Sequence, residues 1–317
     1  MMNSTKTCLR SAHRTLNALA LGAIMVASAP QIASAADALT LEPTADVAGL
    51  PGVKLNQALA DKLPANVKSA GFINVATDLT PPISFHDEKG KLIGIDADLA
   101  SAIGVILGVK VKMTDVGMGS AIVPSIKSKR FDLSISGIND DPELEKELDV
   151  IDYMFDATTI MTLKGNPLKI ASMADLCGKR VVVPVGTFQE RMVEAASAKC
   201  ATPIKITTIP KMPDVLQAVR TGRADATVNG YATSVYTTAN QTGNGVGLEA
   251  LPDVRLAVGY LGMLTAKDNT AFRDVVVAAL QQLVDSGAYK TIMTKWKLAP
   301  LSVPVVKVND AKSYPAQ

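Results

Sequence analysis

The chain has 317 residues, 20% of them charged, with 32 Lys and Arg against 30 Asp and Glu. That length fits one large or two ordinary domains, and so small a basic excess argues against a nucleic-acid binder. Two histidines and three cysteines leave little room for a histidine-based catalytic triad or a multi-histidine metal site.

The first residues read as an export signal. Lys6, Arg10 and Arg14 precede an apolar run from Leu16 to Ala29, and Ala33-Ser34-Ala35 supplies a small-residue cleavage site, so residues 1–35 are expected to be a signal peptide removed after Ala35. The run is shorter than the roughly 20 residues of a spanning helix. No cysteine follows it in a lipobox, and no later stretch is long and apolar enough to cross a membrane. Removing the signal takes three basic residues and no acidic one, leaving 29 against 30. It also removes Cys8, leaving Cys177 and Cys200, an even pair that in an exported protein points to a disulfide. No metal and no cofactor is expected.

Residues 36–70 read as a lead-in in which Leu55, Leu59 and Leu63, four residues apart, form one short amphipathic helix. Phe72, Ile73, Val75 and Ala76 are a buried strand bounded by Gly71 and Pro81. Asp87-Glu88-Lys89-Gly90 is a turn between two short apolar runs, giving a hairpin. Asp96 then caps a helix with Leu99, Ile103, Ile106 and Leu107 on one face and Gly108 at its stop. Asp78 falls just past the carboxyl end of the strand, where open α/β sheets bind ligands. A strand (109–116), a helix (120–129) with Ile122, Val123 and Ile126 inward, and a strand (131–136) follow. A loop covers 137–141, and Asp141-Pro142-Glu143 has the cap, proline and acid of a helix start. This alternation predicts an α/β fold with a parallel sheet.

An extended segment (153–163) leads into a second unit built the same way. Its strands are expected at 181–185, 204–209 and 224–228, and its helices at 188–198, 213–221 and 231–239. A second extended segment (255–265) returns, followed by helices at 270–285 and 288–298. In the first of these helices Val276, Leu280 and Leu283 mark the buried face. The last residues, with Pro300, Pro304 and Pro315, read as a tail.

Several of these stretches carry a family resemblance. Thr77-Asp78, Pro81-Pro82-Ile83-Ser84-Phe85, Gly90-Lys91 and Gly94-Ile95-Asp96-Ala97-Asp98-Leu99-Ala100 resemble the opening pattern of the extracellular solute-binding proteins of family 3, the polar-amino-acid binders of ABC transporters. Arg130-Phe131-Asp132, Asp175-Leu176-Cys177-Gly178-Lys179, Gly186-Thr187-Phe188-Gln189, Gly222-Arg223-Ala224-Asp225-Ala226 and Lys295-Trp296 continue the resemblance along nearly all of the mature chain. It implies a two-lobed type II periplasmic-binding fold, each lobe a mainly parallel sheet flanked by helices, with two crossover strands acting as a hinge. The expected division is 71–159 with 261–298 for the first lobe, 160–260 for the second and 299–317 for the tail.

The resemblance also implies where a ligand lies. Asp78 matches the position that holds the side-chain charge of cationic amino acids. Ser136, Gly137 and Asn139 match cleft-lining positions. Thr187 and Phe188 open a helix whose amides can meet an anion, and Thr80, Asn229 and Tyr231 complete the expected ligand-binding set. The arginine that pairs with a ligand carboxylate corresponds to Leu144, and the aspartate that takes the ammonium to Gly230. An aromatic before the double proline is absent, and a second corresponds to Gly119. Burying a carboxylate without its partner costs about 3–5 kcal/mol, so an ordinary α-amino acid is not the expected solute; a neutral or cationic one is. The expected function is periplasmic capture of a small polar solute by a monomer and delivery to an ABC permease in the inner membrane, without enzymatic activity. The alternatives are a dehydratase-like enzyme on the same fold and a ligand-sensing domain that reports to a receptor.

Overall fold

The computed structural model describes residues 39–41, 45–117, 119–241, 246–251 and 253–314; the expected signal peptide lies outside the described residues. Strand β1 (Leu39–Leu41) is followed by three short helices, α1 (Ala45–Ala48), α2 (Gln57–Ala60) and α3 (Ala65–Ala70). The single helix expected through Leu55, Leu59 and Leu63 does not form. Pro64 precedes α3, and Asn56 caps α2 with its side chain, which splits the stretch; Leu55 is exposed while Val47, Val53, Leu63 and Val67 are buried in the main core.

Strand β2 (Phe72–Thr77) leads to a hairpin of β3 (Phe85–His86) and β4 (Leu92–Ile93), and then to α4 (Ile95–Leu107). Gly108 ends α4 in the left-handed conformation, as its position implies. Asp96 is not the cap. Gly94 occupies that place with φ +133°, where a Cβ would stand 2.2 Å from the Ile83 carbonyl oxygen. Asp96 is wholly buried and accepts a 2.8 Å hydrogen bond from the Tyr153 hydroxyl. Asp98 accepts a 2.8 Å bond from Trp296 Nε1 and pairs with Lys295 at 2.9 Å, so the Lys-Trp motif near the C-terminus pins α4.

Strands β5 (Lys110–Asp115) and β6 (Leu133–Asn139) flank β2 in parallel, with α5 (Ile122–Lys127) between them in the chain. β6 runs farther than expected: Ile138 and Asn139 pair with the second crossing instead of forming a loop. Helix α6 (Pro142–Glu147) begins as predicted, with the Asp141 carboxylate accepting from the Glu143 and Leu144 amides at 3.0 and 3.1 Å. Strand β7 (Leu148–Leu163) is the first crossing.

Strands β8 (Arg180–Pro184), β9 (Lys205–Ile209) and β10 (Ala226–Gly230) form the second parallel set, with α7 (Phe188–Ser197), α8 (Met212–Arg220) and α9 (Tyr231–Ala239). Both faces of this set are covered, which is why Val181 to Val183 is an unbroken apolar run. Val181 and Val183 pack with Val193 of α7, and Val182 packs with Val215 and Val219 of α8. Cys177 and Cys200 are joined in a disulfide with their Cα atoms 5.5 Å apart. They precede β8 and β9, parallel neighbours whose starts share one edge.

Strand β11 (Leu248–Ala250) pairs with β7, and β12 (Leu256–Ala266) is the return crossing, antiparallel to β7 and β6. Helix α10 (Thr270–Asp285) buries Val276, Leu280 and Leu283, and α11 (Ala288–Lys295) buries Tyr289, Ile292 and Met293, in the core that holds α4. The expected tail is only partly a tail: β13 (Ser302–Val308) pairs antiparallel with β7 and buries Val303 and Val306. The sheet order is β1-β5-β2-β6-β12-β7-β10-β8-β9. Apolar clusters lie on either side of the two crossings, one pair around β2, β6 and α4 and one pair around β8 and β10. We refer to these as the first and second lobes.

Candidate ligand-binding cleft

Where β2 ends, the chain turns and leaves Asp78 at the carboxyl edge of the sheet. Its side chain is 2% exposed and lines a cavity of about 320 Å³. One carboxylate oxygen accepts the Thr80 hydroxyl; the other, Oδ1, is buried with no hydrogen-bond partner among the described residues. Burial lifts the Asp78 pKa from 3.8 to about 7, with the Thr80 bond opposing and the nearby Asp115 charge adding to the rise. A carboxyl held this way gains from any cation or donor placed against Oδ1.

The cavity lies between the end of β6 and the start of α7. Ser136, Gly137 and Asn139 line it from the first lobe, and Thr187 and Phe188 from the second. These five and Asp78 line one cavity. Three others are not among the lining residues. Thr80 acts on Asp78. Asn229 is buried, with its Nδ2 lacking a partner among the described residues. The Tyr231 ring is covered by the Arg255 guanidinium at 3.4 Å. The Thr187 hydroxyl donates to the Pro184 carbonyl at 2.8 Å and accepts from the Glu190 amide at 3.2 Å, so it shapes the α7 start.

The lobes touch across this cavity. Gln189 Nε2 donates to Asn139 Oδ1 at 2.9 Å, and Arg191 Nη2 donates to Asp141 Oδ2. A Cβ on Gly119 would stand 2.2 Å from the Gly186 carbonyl oxygen, and one on Gly186, at φ +73°, 2.6 Å from the Ser120 nitrogen. Backbone meets backbone there, which explains a glycine at the position expected to hold an aromatic ring.

The charge balance is acidic. Asp78, Asp141, Glu143 and Glu147 line the cavity with Leu144 among them, and Arg191 is the one basic side chain among the described lining residues. Glycine at position 230 also has a reason. A Cβ there would meet Asp156 Oδ2 at 2.7 Å. Asp156, from β7, is buried and accepts from the Ala232 amide at 3.1 Å, so it caps α9 from another strand. Burial raises its pKa to about 7, against the lowering effect of the α9 amides and Arg255.

Sequence reasoning missed Gln189, Arg191 and Asp156. Arg191 stands four residues after Thr187 on the same helix, a spacing that puts both on one face, so its place at the cleft was readable. Asp156 carried no local signal, because its partner is on a different strand.

Residues 73–299 match the bacterial extracellular solute-binding proteins, family 3. The chain is 27% identical over 221 residues to the arginine-binding protein ArgT of Corynebacterium glutamicum, covering 68% of this chain and 70% of that protein. It is 26% identical over 212 residues to the arginine-binding extracellular protein ArtP of Bacillus subtilis, covering 67% and 80%. Among solved structures it resembles AncCDT-1, an ancestral amino acid-binding protein and precursor of cyclohexadienyl dehydratase, with a TM-score of 0.65, 30% identity and coverage of 73% of this chain and 97% of that one. Holo ArgBP from T. maritima gives a TM-score of 0.64 at 28% identity, covering 74% and 100%. The family match covers residues 73–299, and the chain belongs to the bacterial extracellular solute-binding proteins of family 3.

Proposed function

We propose that this protein captures a small cationic solute, an amine or guanidinium compound, in the periplasm and delivers it to an ABC permease. The observation that carries the reading is the Asp78 carboxyl, which lines the cavity, is buried, and has one oxygen without a partner among the described residues. A neutral carboxyl can accept a donor there, but a cation gives the larger gain, because it restores the ionised form in a water-poor site. The acidic lining favours the same class of solute. The names of the arginine-binding relatives support a guanidinium in particular. Arg191 brings a positive charge to the cavity lining that Leu144 does not, which offsets part of the cost of burying a carboxylate there. A volume of about 320 Å³ accommodates one such molecule. The two crossings are read as the hinge on which the lobes close.

Titration calorimetry on the mature protein with arginine, agmatine, lysine, acetamide and glutamate tests this. A guanidinium or amine compound should bind, and Asp78→Asn should weaken it at least tenfold. Binding confined to glutamate or acetamide, or cation affinity untouched in Asp78→Asn, would refute the assignment. A second reading has one observation behind it. An aspartyl group poised near neutral pH in a cavity suits proton transfer, and AncCDT-1 is a precursor of a dehydratase. Recovery of the bound solute chemically unchanged after prolonged incubation decides for binding over turnover.

A further inference from the structure

The family match stops at residue 299, and the chain beyond it is built into the fold. β13 follows α11 and runs antiparallel along β7, with Ser302 opposite Met154, Lys307 opposite Asp152 and Val308 opposite Ile151. The Val303 amide donates to the Tyr289 hydroxyl at 3.1 Å, and the Val306 amide to Gln281 Oε1 at 2.9 Å. The chain then reverses at Asn309, whose φ of +56° is a conformation that asparagine tolerates better than most residues. Asn309 exchanges two 2.9 Å bonds with Val150: its amide donates to the Val150 carbonyl, and its side chain accepts from the Val150 amide. The Ala311 amide donates to Glu145 Oε1 at 2.8 Å. These partners lie on α6, α10, α11 and the start of β7, all in the first lobe. Residues 302–314 are therefore a strap fastened to one lobe.

The end of the strap lies on the crossings. Tyr314 meets Phe155 of β7 edge-on at 5.3 Å and Tyr260 of β12 edge-on at 5.1 Å, while Phe155 and Tyr260 stack on each other at 4.7 Å. Phe155 and Tyr260 face each other in the ladder between the crossings, and that ladder shifts register on both sides of them, between Leu261 and Gly262 and between Leu256 and Gly259. Inside the second shift Ala257 has φ +42°, in the left-handed region that favours glycine. Asp156, one residue beyond Phe155, caps α9 of the second lobe through the Ala232 amide. The three rings thus stand on the first-lobe side of a break in the paired crossings, one residue from a contact that belongs to the second lobe.

We infer that the C-terminal strap is a hinge brace, with Tyr314 as the ring that holds the crossings in the closed arrangement. This rests on the reading of the crossings as the hinge and is independent of the solute. Gln189 bonds Asn139 and Gly119 meets Gly186 across the cleft, and in that same arrangement Phe155, Tyr260 and Tyr314 are in mutual contact. Rotation of the second lobe about the break between Leu256 and Gly259 carries Asp156 along with α9. It thereby slides β7 against β12 at the adjacent Phe155–Tyr260 pair. A third ring packed edge-on against both opposes the slide, and its strap is bonded to the first lobe, so it does not travel with the second. An edge-to-face pair shifts an equilibrium by about two- to tenfold, enough to change the open fraction of a two-state hinge. Tyr314 is 40% exposed, so removing its ring leaves no buried hole.

Pulsed electron–electron double resonance on the mature protein without solute tests this, with spin labels at Lys146→Cys on α6 and Glu194→Cys on α7, two exposed positions on opposite lobes. Gly119→Leu supplies the open reference, because its side chain collides with the Gly186 carbonyl when the lobes touch. Tyr314→Ala should raise the ratio of open to closed distances about two- to tenfold over wild type. Tyr314→Phe, which keeps the ring, should stay within about twofold of wild type. An open fraction in Tyr314→Ala no larger than in wild type overturns the proposal; if Gly119→Leu opens the lobes in the same series, the hinge reading stands without the brace. If Gly119→Leu leaves the distance unchanged, the crossings do not flex, and the hinge reading fails and this inference with it. Far-ultraviolet circular dichroism of each variant confirms that the distances are read on folded protein.

Discussion

Replacing Asp78 by asparagine gives a stability test that is independent of any ligand. The carboxyl moves from 3.8 to about 7 on folding because burial disfavours its charge. Between those values the folded protein binds more protons than the unfolded chain, so the contribution of Asp78 to stability is fully present below about pH 4 and is lost as pH rises through about 7. At about 1.4 kcal/mol per unit, an ionised Asp78 opposes folding by about 4 kcal/mol at pH 8 and about 1 kcal/mol at pH 4.5. Asparagine keeps the shape and carries no charge. The effect of Asp78→Asn on unfolding free energy should thus be about 3 kcal/mol more favourable at pH 8 than at pH 4.5. Taking the difference between two pH values cancels what the amide does to the Thr80 bond. Urea denaturation of the mature protein at both values, without solute, measures it. An equal effect at the two pH values would mean that Asp78 is already satisfied as an anion when the cleft is empty. The case for a cation drawn to an underpaired carboxyl would then fall. The same titration predicts tighter cation binding as pH rises from 6 to 8, because the ligand must ionise Asp78.

Three further outcomes follow from the structure. Asp140 and Asp152 are adjacent carboxyls whose oxygens have no donor among the described residues; burial raises both, with Glu145 adding to the rise at Asp140 and its contact with Asp152 opposing it, and with Asp140, Asp310 and Glu145 adding to the rise at Asp152. Two acceptor groups hold together only by sharing a proton, so the wild-type melting temperature should fall as pH is raised from about 6 to about 9, and a melting temperature in Asp152→Asn that falls as steeply would refute the sharing. Ending the chain at Leu301 removes β13 with its buried Val303 and Val306 and the bonds between Asn309 and Val150. It should cost about 3–5 kcal/mol, and an unchanged urea midpoint would make the strand dispensable. Reducing the Cys177–Cys200 bond, which closes a separation of 23 residues, should destabilise the second lobe by about 3 kcal/mol, measurable by urea unfolding with and without reductant.

The amino-acid sequence by itself determined the elements whose signals are local. A left-handed stop belongs to a glycine after an apolar helix, and Gly108 has that conformation. A helix start is written in three adjacent residues, and Asp141 caps α6 as those residues imply. The unbroken apolar run at Val181 to Val183 announces a strand covered on both faces, and α7 and α8 cover it. Asp78 was placed at the edge of the sheet by the strand before it and the proline break after it. Tertiary structure decided the rest, because the deciding partner in each case is distant along the chain. Asp96 reads as a cap until Tyr153 arrives from β7 and Gly94 takes the tight turn against Ile83. Residues 302–308 read as a tail until β7 offers an edge to pair with. Gly230 reads as a lost charge until Asp156 is seen filling the space a side chain would need. Leu144 reads the same way until Arg191 crosses the cleft to the carboxylate that caps α6. Backbone conformation answers to near neighbours, whereas charge pairing and strand addition answer to whichever groups the folded sheet brings within hydrogen-bond reach.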